Sequence, residues 1–230
     1  VNVVENLRLV RARIAAACMS AGRDPREVRI VGVTKTHPVQ TVAAAVAAGV
    51  DAIGENRVQE AAQKRPVTMA SVPWHLVGPL QRNKAKLALE VFDLVETLDR
   101  TELADRLEAL LLTQGRVLPV FVEVNIGGEP QKSGIPPAGL GSLLDHVLAR
   151  CPHLRLSGFM TVPPYDPDPE RSRPHFAALR ALGRDLAERF TLPALELSMG
   201  MSEDFHVAVQ EGATWVRLGR VLFGERQNVP

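Results

Sequence analysis

Short apolar, β-branched runs alternate with segments of helical periodicity along the whole chain, and this alternation constrains the fold more than any other feature. The first run is Val28-Arg29-Ile30-Val31-Gly32-Val33-Thr34, and an Ala-rich helix over 39–48 follows it, opened by Pro38 and closed by Gly49. Further runs lie at 51–54, 74–78, 94–97, 118–125, 154–160, 195–198 and 214–218. Helical patterns at 56–62, 82–89, 100–113, 140–150, 171–190 and 203–210 separate them. Hairpin signals are lacking. Strands separated by helices pair in parallel through right-handed crossovers. An amphipathic helix over 2–21, carrying Leu7, Val10 and Ile14 on one face, precedes the first strand. Eight strand units predict a (β/α)8 TIM barrel, with an open doubly wound sheet as the other topology this order allows. The 230 residues are expected to form one domain over 1–230, since such a barrel takes about 250 residues and leaves little for a second.

The charges nearly cancel, at a net +1, so the large basic excess that nucleic-acid or anionic-membrane binding requires is missing. No stretch of about 20 apolar residues is present to span a membrane. Residues 1–10 mix apolar positions with Asn2, Glu5, Asn6 and Arg8, unlike a secretory signal. Cys18 and Cys151 stand far apart and form no CxxC pair. A cytoplasmic protein without a structural metal is expected from these features. The histidines offer no HxxxH pair with a completing carboxylate, and GxSxG, GxGxxG and GxxxxGK[ST] motifs are all missing.

A barrel of this kind does its chemistry at the C-terminal ends of the strands, often with a phosphate site after strands seven and eight. Lys35 ends the first strand there. It is one of only five lysines beside 22 arginines. A desolvated lysine amine is a nucleophile able to form a Schiff base with a carbonyl, whereas a lysine capping a strand end simply points to water. Lys64, Lys84 and Lys86 read as solvated, and Lys132 lies in a Gly-rich loop of the same face. The turn Ser198-Met199-Gly200-Met201-Ser202 leads into a helix whose N-terminus favours an anion, and Ser202 also reads as a plain N-cap. Gly219-Arg220 follows the last strand, so two glycine turns side by side can cup a phosphate. Arg217 lies within that strand. Pointing inward it needs an acceptor; pointing outward it meets a helix carboxylate.

These segments together resemble one family. The motifs are Thr34-Lys35-Thr36-His37-Pro38, Gly54-Glu55-Asn56-Arg57-Val58-Gln59-Glu60, and the stretch from Trp74-His75-Leu76-Val77-Gly78 to Lys84. Val124-Asn125-Ile126 with Glu129, Lys132 and Gly134 also match, as do Ser157-Gly158-Phe159-Met160 and Leu197-Ser198-Met199-Gly200-Met201-Ser202. On these, the chain is identified as a member of the pyridoxal-phosphate homeostasis proteins, the YggS or PROSC family, with the match running from the first strand to Arg226. The resemblance implies a fold-type III barrel like the N-terminal domain of alanine racemase. It implies pyridoxal 5′-phosphate (PLP) held as a covalent Schiff base on Lys35, with Asn56 lining the ring site. Ser198, Gly200 and the backbone at Gly219 and Arg220 would hold the phosphate, and Arg217 would face the pyridine nitrogen. Arg220 stands where relatives usually have Thr, and Pro79 where they often have His.

The resemblance implies a monomeric carrier that buffers or delivers PLP in vitamin B6 homeostasis, possible recipients being PLP-dependent apo-enzymes. The alternative is a PLP-dependent enzyme such as a slow amino-acid racemase. Racemase relatives take a second acid/base from a tyrosine of another domain. Here the single tyrosine is Tyr165, in a Pro-rich loop, and the length is expected to leave no room for such a domain. A Schiff-base aldolase working without cofactor is a third class.

Overall fold

The computed structural model describes residues 1–68 and 71–225; Arg226, where the family resemblance ends, lies outside them. Helix α1 (Val3–Ser20) precedes β1 (Arg29–Val33), α2 (Val39–Ala48), β2 (Ala52–Glu55), α3 (Val58–Thr68), β3 (Trp74–Leu76) and α4 (Ala85–Val91). Then follow β4 (Leu94–Leu98), α5 (Thr101–Gln114), β5 (Leu118–Glu123), α6 (Pro137–Arg150), β6 (Leu154–Met160) and α7 (Arg173–Arg189). The series ends with β7 (Glu196–Ser198), α8 (Phe205–Gln210), β8 (Trp215–Leu218) and the single turn α9 (Arg220–Phe223). All neighbouring strands are parallel and the sheet closes from β8 back to β1, with Val31 opposite Arg217. The (β/α)8 barrel expected from the alternation is the fold, and the open sheet is excluded.

Strand alternation sorts the core into two layers. Ile30, Ile53, Trp74, Val95, Val122 and Val216 face outward into the large apolar layer beneath the helices. Their neighbours Val31, Ala52, Leu94, Phe121, Met160 and Trp215 turn inward and plug the barrel. The same parity sends His75, Glu96, Glu123, Ser198 and Arg217 inward, where all five are buried. Arg217 thus takes the inward of its two allowed directions.

Helix boundaries differ from the sequence reading where local chemistry overrides periodicity. Helix α3 runs on to Thr68 through Pro66, whose ring falls in the last turn. Helix α6 starts at Pro137 rather than 140, because a proline is pre-shaped for the first helical turn. A 3-10 turn over 82–84 delays α4.

Candidate functional site

A cavity of about 610 Å³ opens at the C-terminal end of the barrel, within the size range of small-molecule sites. Its wall takes Lys35 and His37 from the turn after β1, Asn56 from the turn after β2, and Glu123 and Lys132 from β5 and the loop behind it. Ser202, Arg217, Gly219 and Arg220 close it from β7 and β8. Five of the seven sequence-derived site residues therefore converge here: Lys35, Asn56, Arg217, Gly219 and Arg220.

The turn that carries Lys35 is held by α3. Thr36 adopts φ +65°, a strained value for a non-glycine residue. Its N–H donates to Glu60 Oε1 at 2.6 Å. Lys64 Nζ donates to the same Glu60 oxygen at 2.7 Å, to Glu55 Oε1 at 2.8 Å and to the Thr34 carbonyl at 2.8 Å. Thr34 Oγ1 adds a fifth bond, to Glu55 Oε1 at 2.7 Å. The expectation of a solvated Lys64 is overturned: a chain segment at the cavity edge needs a cation to neutralise two carboxylates, so Lys64 is buried. Burial pushes the Glu55 carboxyl above its ordinary value, against the pull of Lys64.

Arg217 is 5% exposed and is fixed at two nitrogens, one donating to Ser198 Oγ and one to the Thr161 carbonyl, each at 2.8 Å. Burial draws its guanidinium below the ordinary value, opposed by the fields of Glu96 and Glu123. Arg220 lines the rim and pairs with Glu203 at 3.0 Å. Lys132 ties two loops together, donating to the Pro163 carbonyl at 2.8 Å while pairing with Glu129 at 2.5 Å.

Two expected site residues are elsewhere. Ser198 is fully buried beneath the cavity, with its hydroxyl engaged by Glu96 and Arg217. Gly200 has φ +91°, and a Cβ there would sit 2.6 Å from that of Ala208, so it permits α8 to pack close. Its carbonyl accepts from Arg217 N at 3.0 Å. Ser202, which the sequence allows as an ordinary cap, is the serine on the cavity wall, and its Oγ accepts from Val221 N in α9 at 3.3 Å. The last serine of the SMGMS turn could have been favoured because it adjoins the helix N-terminus. Glu123 was not anticipated either. It is 7% exposed, and its Oε2 is buried without a hydrogen-bond partner among the described residues. Burial, with Asp99 next in effect, pushes its carboxyl up to about 7.

Away from the cavity, Asp105, His146 and Cys151 bring possible ligand atoms within 4.8 Å of one another. His146 already bonds Asp105 at 2.6 Å, and burial pushes the Cys151 thiol up to about 11, so the group reads as packing.

Residues 5–227 match the family model described as alanine racemase, N-terminal domain. A Pseudomonas aeruginosa protein named pyridoxal phosphate homeostasis protein is 43% identical over 228 residues, covering 97% of this chain and 96% of that protein. The Aquifex aeolicus protein of the same name is 40% identical over 227 residues, covering 98% and 99%. The chain belongs to the pyridoxal phosphate homeostasis protein family. Among solved structures, PipY of Synechococcus elongatus, described with PLP bound, superposes with a TM-score of 0.84 at 34% identity, over 96% of this chain and all of that one. Alanine racemase of Clostridium difficile shares the fold at a TM-score of 0.75 and 16% identity, over 97% of this chain and 56% of its own. No helix among the described residues of this family member is long and apolar enough to cross a membrane.

Proposed function

We propose that this cavity binds PLP and that the protein stores and delivers it in vitamin B6 homeostasis rather than turning over a substrate. The observation that carries the reading is the donor set of one cavity: a lysine amine, a buried guanidinium, and a serine beside a glycine turn that opens a helix. That set fits an aldehyde, a pyridine nitrogen and a phosphate on one small ring. The names of the relatives and the PLP-bound PipY structure support the same reading.

Bound here, PLP supplies an aldehyde carbon that condenses reversibly with a primary amine. Lys35 offers that amine, and the α3 contacts to Thr34 and Thr36 hold its turn. Asn56 lines the ring site. Arg217, a permanent cation, faces the ring nitrogen and keeps a proton off it, which weakens the electron sink that carbanion chemistry needs. Ser202 and the backbone at Gly219 and Arg220 take the phosphate, with the helix end favouring its charge. The Arg220 guanidinium is shared with Glu203, so it adds to this site without dominating it. PLP-dependent apo-enzymes are the proposed recipients, and the protein acts in the cytoplasm as a monomer.

An absorbance scan tests the reading. Purified protein mixed with PLP gains a visible band distinct from that of free PLP, and Lys35→Ala does not form it. A band that persists in Lys35→Ala moves the covalent link to another lysine, Lys132 foremost. Turnover of any amino acid above about 1 s⁻¹, a rate typical of enzymes, overturns the carrier role.

A further inference from the structure

A directed chain of hydrogen bonds runs down the barrel axis from the cavity, and the cofactor contacts above leave it without a function. Arg217 donates to Ser198 Oγ at 2.8 Å; a guanidinium can only donate, so the serine oxygen is the acceptor. The serine proton therefore goes to Glu96 Oε2, at 2.5 Å. Glu96 is fully buried. Burial pushes its carboxyl up, but the hydrogen bond and field of His75 and the charge of Arg217 outweigh this and leave it below its ordinary value. As a carboxylate it only accepts, so His75 presents a protonated Nδ1 to Oε1 at 2.7 Å. His75 in turn packs edge-on against Trp215, with ring centres 4.8 Å apart. It lines a second cavity at the opposite end of the barrel. Every link has a single allowed direction, so the guanidinium has one preferred orientation. Among the described residues only two of its five N–H donors are engaged, which leaves donors for a ligand.

We propose that Ser198, Glu96 and His75 are positioning residues that aim Arg217 at the pyridine ring, and that Ser198 is not a phosphate ligand. This rests on PLP occupying the upper cavity. Glu96 supplies the counter-charge without touching the guanidinium directly, and Ser198 is the spacer that keeps the two apart. Removing the spacer lets Arg217 turn toward Glu96 and away from the ring.

The test compares two ligands, PLP and pyridoxal, which lacks the phosphate, on the wild type and on Ser198→Ala, Ser202→Ala and His75→Phe. Dissociation constants and the absorption maximum of the bound ligand are both read. Ser198→Ala weakens PLP and pyridoxal by a common factor of about ten, the scale of one hydrogen bond to a charged group, and shifts the maximum. Ser202→Ala weakens PLP alone. His75→Phe, three bonds down the chain, shifts the maximum in the same sense as Ser198→Ala, and it carries the test if Ser198→Ala does not fold. A Ser198→Ala protein that loses affinity for PLP but not for pyridoxal overturns the proposal, because that is the behaviour of a phosphate ligand. An unchanged maximum in His75→Phe also overturns it. A wild type that binds neither ligand overturns the cofactor reading itself, an outcome distinct from both.

Discussion

Glu123 reaches the cavity from β5 with one carboxylate oxygen buried and unpartnered, beside Arg217 but also within the fields of Asp99 and Glu96. Its carboxyl rises from the ordinary 4.5 to about 7. A raised acid binds its proton more tightly in the folded state. Between pH 4.5 and 7 the unfolded chain therefore ionises first, and stability falls as the pH rises. The full loss is present above pH 7 and absent below 4.5. The interval corresponds to roughly 3 kcal/mol as an upper bound. Glu123→Gln removes this dependence. Denaturant titrations are expected to give equal stabilities for the two proteins at pH 4.5 and a more stable variant at pH 8. A gap that stays constant across this range would exclude titration of Glu123 as its source. The same ionisation sets a negative charge near Arg217, so the cavity is more receptive to an anionic ligand below neutrality than above it.

At the scale of elements, α3 acts as a clamp on the turn between β1 and α2. Lys64 joins Thr34, Glu55 and Glu60 at one ammonium, and Glu60 reaches Thr36 on the far side of Lys35. Lys64→Met leaves the fully buried Glu55 without its cation, a change that costs about 3–5 kcal/mol when a buried pair is broken. A lowered denaturation midpoint and a slower appearance of the visible band with PLP are the expected results. An unshifted midpoint would mean that Glu55 is satisfied without Lys64. This clamp was invisible in the sequence. Lys64 has the charged, solvated look of the rest of its helix, and only the closure of β2 against β1 reveals what it faces. The strands themselves were legible because burial on both faces makes each a continuous apolar run. Lys35, Asn56, Arg217, Gly219 and Arg220 were legible because strand ends in a barrel converge. Ser198 against Ser202 was not, since the three residues between them decide which serine lines the cavity and which is buried. Strand alternation alone left the direction of Arg217 open; the resemblance implied the inward one, which Arg217 takes with Trp215, two residues before it on the same face of β8.

For the whole molecule, the cavity exists only when the barrel is closed. Lys35 and Arg220 lie near opposite ends of the chain, and the seam between β1 and β8 brings them to one wall. An unfolded chain offers an aldehyde only isolated lysine amines; the folded chain sets Lys35 beside Arg217, Ser202 and the turn at Gly219 in fixed positions. Ligand binding and global folding are thus linked, and the ligand stabilises the folded state by RT ln(1 + [L]/Kd). At a free concentration 100 times Kd this is about 2.7 kcal/mol. For a chain of this size it raises the melting temperature by roughly 5–10 °C. Thermal denaturation over a PLP series is expected to show that rise, continuing with the logarithm of concentration. On the proposed site, Lys35→Ala keeps the contacts to the phosphate and ring and loses the covalent link, so its rise is expected to be smaller but not zero. Inorganic phosphate would fill only the proposed Ser202 and Gly219 end, so it is expected to give the smallest rise of the three. If the melting temperature of the wild type stays fixed at saturating PLP, the visible band comes from an exposed amine and not from this cavity. If Lys35→Ala rises as far as the wild type, the barrel grips PLP by its contacts alone, and the lysine serves exchange with acceptors rather than retention.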